Sequence, residues 1–256
     1  MKVLSRSLVL IAALGAATAS AETRPRLFIT TESSAPSSMI EGGRVTGFAT
    51  EKVRVLMERA GIDYDIELLP WKRAYVIAQT QPDACVYSTT RVPERESHFK
   101  WVGPTHQNDW TLFGRADRQY KLKTLEDARK LRIGAYNGDI RGEVLQAQGF
   151  IVDSVQDRAS NPRKLLVNRI DLWATSLRVG GSVVAQHGWG ERIVPVLTFK
   201  RTDLYLACNP GVSDSLIGKL NAALKQMDSE GLSSAIERRF NYVEPPRSGA
   251  VAKSPP

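Results

Sequence analysis

Histidine is nearly absent: the 256 residues hold three, His98, His106 and His187, scattered without metal-ligand spacing. There is no Gly-x-Ser-x-Gly elbow, phosphate-cradling glycine loop or His-Glu-x-x-His helix, so the common signatures of hydrolases, nucleotide enzymes and zinc proteases are missing. No metal, no cofactor and no catalytic residue is therefore expected, and the chain reads as a non-enzyme. Long basic runs are also missing, which argues against nucleic acid as a partner. The longest apolar run, Leu8 to Ala17, is far shorter than the roughly 20 residues a membrane-spanning helix needs. Heptads and short-period repeats are not found. Cysteine is limited to Cys85 and Cys208, too far apart for a zinc or redox motif.

What is present at the start is a leader. Lys2 and Arg6 precede that apolar run, and Ala19, Ser20 and Ala21 close it, the charged, apolar and small-residue order of a cleaved signal peptide over residues 1–21. No cysteine follows the cleavage site to carry a lipid. The expected mature chain is a soluble periplasmic protein. Loss of Lys2 and Arg6 takes its formal charge from +8 to +6, a modest excess spread over the surface. In an oxidising compartment a pair of cysteines is more readily bridged than free.

The mature length suits one large domain or two medium lobes. Strands are expected at "RLFIT", "YDIELLP", "ACVYS", "WTLFGR", "LRIGAY", "RIDLWAT" and, after "IVPVL", at "DLYLACNP". Between them, Val53, Leu56, Met57 and Ala60 recur at helical spacing, and Trp71, Ala74, Tyr75 and Ala78 mark a shorter helix. Asn161 before Pro162 reads as a helix start, with the side chain as cap, and Ser213 as another. Strands alternating with helices imply a mostly parallel sheet covered on both faces, with ligands beyond the carboxyl ends of strands. The loops after Thr30, Tyr87, Tyr136 and Trp173 are then the places for a site. The proline-rich end, 244–256, cannot build a core and is expected to be disordered.

One of those loops is "STTRVPERESHFKWVGP", from Ser88 to Pro104. With "GRVTGFATEKVRVLMERAG", "NRIDLWAT" and the closing "LYLACNPGVSDSLIGKLNAALKQMDSEGLSSAIERRF", it resembles the periplasmic solute-binding proteins of polar-amino-acid ABC importers, the extracellular solute-binding family 3. The resemblance implies an α/β fold of the periplasmic binding protein type II: two α/β lobes, a two-strand hinge and a ligand enclosed between them. The expected division is 22–113 with 204–243 for lobe 1 and 114–203 for lobe 2, the hinge lying near Phe113 to Arg115 and Thr198 to Leu204. It also places Cys208 on a returning strand beside that of Cys85, so that a disulfide could form. The implied function is capture of a small polar solute, amino-acid-like and carboxylate-bearing, for an ABC permease, by a monomer. A sensor subunit that presents its ligand to a membrane receptor, or a dehydratase on the same fold, are the alternatives.

By position, Arg95 is the arginine that grips the ligand's carboxylate, a role suited to a planar, permanently charged fork. The alternative is a surface pair with Glu94 or Glu96. Ser88 and Thr90 match the family's hydroxyl contacts. Two positions depart from the pattern. Gly138 is followed by Asp139 where Ser or Thr is usual, and Asp139 either competes with an anionic ligand or caps its own helix. Ser176 stands where an acid commonly holds the α-amino group, a part Glu32 could take instead. Further cleft candidates are Trp71, Arg73, Tyr87, Trp110 and Trp173, all equally able to serve elsewhere.

Overall fold

The computed structural model describes residues 24–157 and 159–240, so the expected signal peptide, 1–21, and the expected disordered tail, 244–256, lie outside the described residues. The chain opens with β1 (Arg26–Thr31), a hairpin of β2 (Met39–Glu41) and β3 (Arg44–Thr46), and α1 (Phe48–Ala60). Gly61 ends α1 with φ +66°, a conformation glycine adopts without steric cost. Then come β4 (Asp63–Leu68), α2 (Trp71–Thr80), β5 (Ala84–Thr90), the short α3 (Pro93–Glu96) and β6 (Lys100–Arg115). The second half holds β7 (Ile133–Tyr136), α4 (Ile140–Ala147), β8 (Val152–Val155), α5 (Ser160–Leu166), β9 (Leu172–Ser176) and α6 (Leu177–Gln186). The chain returns through β10 (Ile193–Cys208) to α7 (Asp214–Ser229) and α8 (Leu232–Arg239).

The sheet runs β4-β1-β5-β10-β6-β9-β7-β8. Its flanks are parallel: β1 lies between β4 and β5, and β7 between β8 and β9. The centre is antiparallel, because β6 and β10 run against each other and against β9 and β5. Both central strands are 16 residues long, where shorter pieces are expected from the sequence. Gly103, Pro104 and Pro195 read as strand breakers, yet they sit inside these strands, and β10 absorbs the irregularity in register shifts against β6. Two crossing strands therefore connect two packed halves, the architecture of a type II periplasmic binding protein.

Each half has its own core. Leu27, Ile29, Val53, Leu56 and Met57 pack with Leu220, Leu224, Met227 and Ile236, which is why α7 and α8 return to the first half. In the second, Leu112, Ile133, Leu145 and Leu172 form one cluster, and Phe113, Leu165, Ile170 and Trp173 another. Leu112 and Phe113 thus already belong to the second core. Cys85 and Cys208 face each other across β5 and β10 and are joined, with Cα atoms 4.0 Å apart.

Helix starts follow the sequence in one case and not in another. Ser213 accepts from the amide of Leu216 and caps α7. Asn161, expected to cap α5, lies inside its first turn instead, and its buried carboxamide has no hydrogen-bond partner. Ala159 occupies the cap position, since the helix begins one residue before the Asn-Pro pair.

Candidate functional site

The carboxyl ends of β1 and β5 in the first lobe open onto the first turns of α4 and α6 in the second. The cleft between them is lined by Glu32, Ser37, Trp71, Ser88, Thr90 and Arg95 from one side. From the other come Tyr136, Asp139, Arg141, Ser176, Arg178 and Val179. His106 and Asn108, on β6, line it where the strands cross.

Arg95 is the decisive residue. Its position on α3 follows from Pro93, whose fixed φ starts the turn, and from β5, which ends at Thr90. The side chain is 8% exposed. Its guanidinium lies 5.0 Å from the centre of the Tyr75 ring and 5.8 Å from that of Trp71, and it donates one long bond, 3.4 Å, to the Thr90 carbonyl. No described carboxylate pairs with it. Glu96, the expected competitor, is held by Arg91, whose guanidinium lies over both Trp101 and Tyr205, 5.5 Å from each ring centre. A buried guanidinium without an acid is costly unless something else supplies the charge and the acceptors.

Around it stand the hydroxyl groups. Ser88 adopts φ +60°, a strained value for a residue with a side chain, and its Oγ lies 3.3 Å from that of Ser37. Thr90 is buried and lines the same space.

Tyr87, one residue before Ser88, points to the opposite face of β5. It is a core residue: its hydroxyl meets Thr50 at 2.7 Å, and burial pushes its pKa up to about 12. That corrects its expected place in the cleft. Arg73 is exposed and lines none of the described cavities, because α2 turns it outward while Trp71, Ala74 and Ala78 face in. Trp173 is mostly core, tilted against Phe113 at 5.5 Å, with an edge on a neighbouring cavity of 570 Å³ that shares Glu32 and Asp139 with the cleft. Gly138 lies one step outside, in the groove between α2 and α4, where an added Cβ would meet Lys72 at 2.9 Å. Trp110 is wholly buried on β6, beside β10, and packs edge-on against Phe199.

On the second lobe, Asp139 caps α4. It accepts from the Arg141 amide at 2.9 Å and from the Arg141 guanidinium. Asp139 therefore neutralises Arg141, and the Nε of Arg141 stays buried without a partner. Ser176, the residue in place of the usual acid, caps α6 by accepting from Val179 at 3.1 Å. Arg141 and Arg178 escape sequence reasoning, although each lies two residues beyond a flagged position, Asp139 and Ser176, in the first turn of a helix that follows a strand.

His106 is buried and stands edge-on to Phe48, with ring centres 5.0 Å apart. The Thr105 hydroxyl donates to the Leu204 carbonyl, so it accepts from His106 Nδ1, which fixes the proton on that nitrogen. Burial, with Lys52 and Arg178 nearby, pushes the His106 pKa down to about 3; Glu237 opposes this. The folded protein binds this proton less readily than the unfolded chain does. The contribution of this group to stability is complete above about pH 6.5 and is lost as pH drops toward 3, by up to about 1.4 kcal/mol per pH unit. Urea unfolding at pH 6.5 and 5.0 should show this loss in the native protein and a flatter profile in His106→Leu; equal slopes would assign the loss to other groups.

Among the described residues no helix is long and apolar enough to cross a membrane, and no group of three or more His, Cys, Asp or Glu could hold a metal ion. Comparison with curated protein sequences gives no significant match. Solved structures match well in shape. A histidine kinase sensor domain with similarity to periplasmic binding proteins superposes with a TM-score of 0.78 at 17% identity, over 85% of this chain and 96% of that one. An ancestral arginine-binding protein gives 0.73 at 20%, over 85% and 98%. The arginine-, lysine-, histidine-binding protein ArtJ of Geobacillus stearothermophilus gives 0.74 at 18%, over 86% and 97%. At these identities the likeness carries the fold alone. The family model of the bacterial extracellular solute-binding proteins, family 3, matches residues 27–242, and the chain belongs to that family.

Proposed function

We propose that this protein captures a small, polar, carboxylate-bearing solute of amino-acid type between its two lobes and delivers it, as a periplasmic monomer, to an ABC permease. One observation carries the reading: Arg95 is buried, faces the cleft and lacks a described acid partner, so a ligand carboxylate would complete it. Ser88 and Thr90 would add hydroxyl contacts, Trp71 a flat wall, and Glu32 an acid for a cationic group. Several structural neighbours are described as amino-acid-binding proteins, which supports the class.

A membrane sensor in place of the permease would use the same closed state; one neighbour is a kinase sensor domain. Another is an amino-acid-binding precursor of a dehydratase. Catalysis of that type needs an available acid in the cleft; of the two acids that line it, Asp139 is occupied by Arg141 and Glu32 is assigned to the solute's cationic group. We therefore read the chain as a binding protein without a reaction.

The proposed lobes are 22–113 with 204–243, and 114–203. The packing of Leu112 and Phe113 in the second core favours a crossover upstream of the first boundary, near His106 to Asp109. Contacts divided between lobes make the closed form bind better than the open one, so a ligand should compact the protein. A thermal-shift screen of amino acids and small carboxylates, followed by small-angle scattering with the best binder, tests this. The expected result is a smaller radius of gyration with ligand. An unchanged radius together with consumption of the compound would favour a preformed enzyme pocket.

A further inference from the structure

Arg178 lies on the first turn of α6 and lines the cleft, but its guanidinium reaches across to the first lobe. There it donates to Glu237 of α8 at 3.0 Å and lies 5.1 Å from the centre of the Phe48 ring on α1. Glu237 is half-buried and has a second cation: Lys52, 3% exposed, donates to it at 2.6 Å and to the Thr105 carbonyl at 2.8 Å. Lys52 and Glu237 belong to one lobe, packed through α1 and α8 on a shared core. Arg178 belongs to the other, since its neighbours Leu177 and Val184 pack with Phe113 and Trp173. The pair therefore joins two bodies that the hinge separates.

We propose that Arg178 and Glu237 form an interlobe latch that sets how much of the protein is closed, and through that fraction the affinity for solute. Glu237 is a positioning residue, held by Lys52 before closure and completed by Arg178 on closure. The arrangement suits that part. Lys52 anchors the carboxylate in one orientation, so little side-chain freedom is lost when the second cation arrives. Partial burial limits screening by salt, and the Phe48 ring gives the guanidinium a flat seat. Because Arg178 shares the first turn of α6 with Val179 and follows Ser176, a solute seated on that turn and the latch move as one unit. Apparent affinity scales with the competent fraction, so a tenfold fall in the closed population weakens binding tenfold. This inference rests on reading the cleft as a solute trap.

The test needs no solute. Nitroxide labels at Thr80→Cys on α2 and Gln146→Cys on α4 sit on helices that face each other across the groove at the rim. Pulsed electron resonance then gives the interlobe distance in the mature chain, stripped of solute by dialysis in denaturant and refolding. The native sequence should show a short-distance population, and Glu237→Gln should reduce it at least fivefold. Glu237→Gln leaves the buried Lys52 ammonium with the Thr105 carbonyl alone, so the Lys52→Met/Glu237→Gln variant, which removes that charge, should show the same shift in a stable protein. A distribution unchanged in both variants, or only the long distance in the native sequence, overturns the latch. Binding lost in Arg95→Ala together with a distance distribution that Glu237→Gln leaves unchanged would keep the trap and reject the latch; a shift in Glu237→Gln together with binding kept in Arg95→Ala would keep the latch and reject Arg95.

Discussion

Arg95→Ala abolishes measurable solute binding while the protein stays folded. The folded-state contacts it gives up are few: one long bond to the Thr90 carbonyl and the faces of Tyr75 and Trp71. The bound state gives up far more, because the ligand's carboxylate would be left buried without its charge partner. Truncating one member of such a pair costs about 2 to 5 kcal/mol, roughly a 30-fold to several-thousand-fold loss of affinity. Arg95→Lys keeps the charge and loses the planar fork, so it should retain binding at an affinity reduced by about tenfold. Calorimetry with the best binder of the screen measures both. Near-native affinity in Arg95→Ala would move the carboxylate to Arg141, whose buried Nε has no hydrogen-bond partner.

Removing the Cys85–Cys208 bridge should destabilise the protein by about 3 kcal/mol and lower its melting temperature by roughly 6 to 12 °C. The bridge joins residues 123 apart in sequence, so it restrains a large part of the unfolded chain. It also pins β10 to β5 beneath the cleft, in the core that α7 and α8 cover. Guanidinium unfolding of the Cys85→Ala/Cys208→Ala protein against the native one reads the difference. A loss below about 1 kcal/mol would mean that packing on both 0%-exposed side chains already holds the strands together. Solute affinity should hardly change, because neither sulfur reaches the cleft.

Much of the fold was legible because it is local. Gly61, Ser213 and the apolar spacing of α1 mark elements that the chain forms from neighbours in sequence. The central strands were not, since Gly103, Pro104 and Pro195 argue against strands that only the pairing of β6 with β10 sustains. The site divides in the same way. Arg95, Ser88 and Thr90 lie within eight residues of one another on one strand-loop, and the structure brings them to one place. Tyr87 failed because period-two alternation says that it faces away from Ser88 without saying which face is the cleft. Arg73 failed because only the packing of Trp71, Ala74 and Ala78 reveals which side of α2 is outward. Glu237 had no local signal at all: it meets Arg178 across 59 residues and Lys52 across 185.

Native mass spectrometry of the gently purified mature protein, beside Arg95→Ala prepared in the same way, tests the central claim most directly. The native protein should carry a small solute whose fragments include a carboxylic acid, and the variant should fly without it. A retained solute lacking any acid group, or the same solute kept equally by Arg95→Ala, would contradict the carboxylate grip on which the account rests.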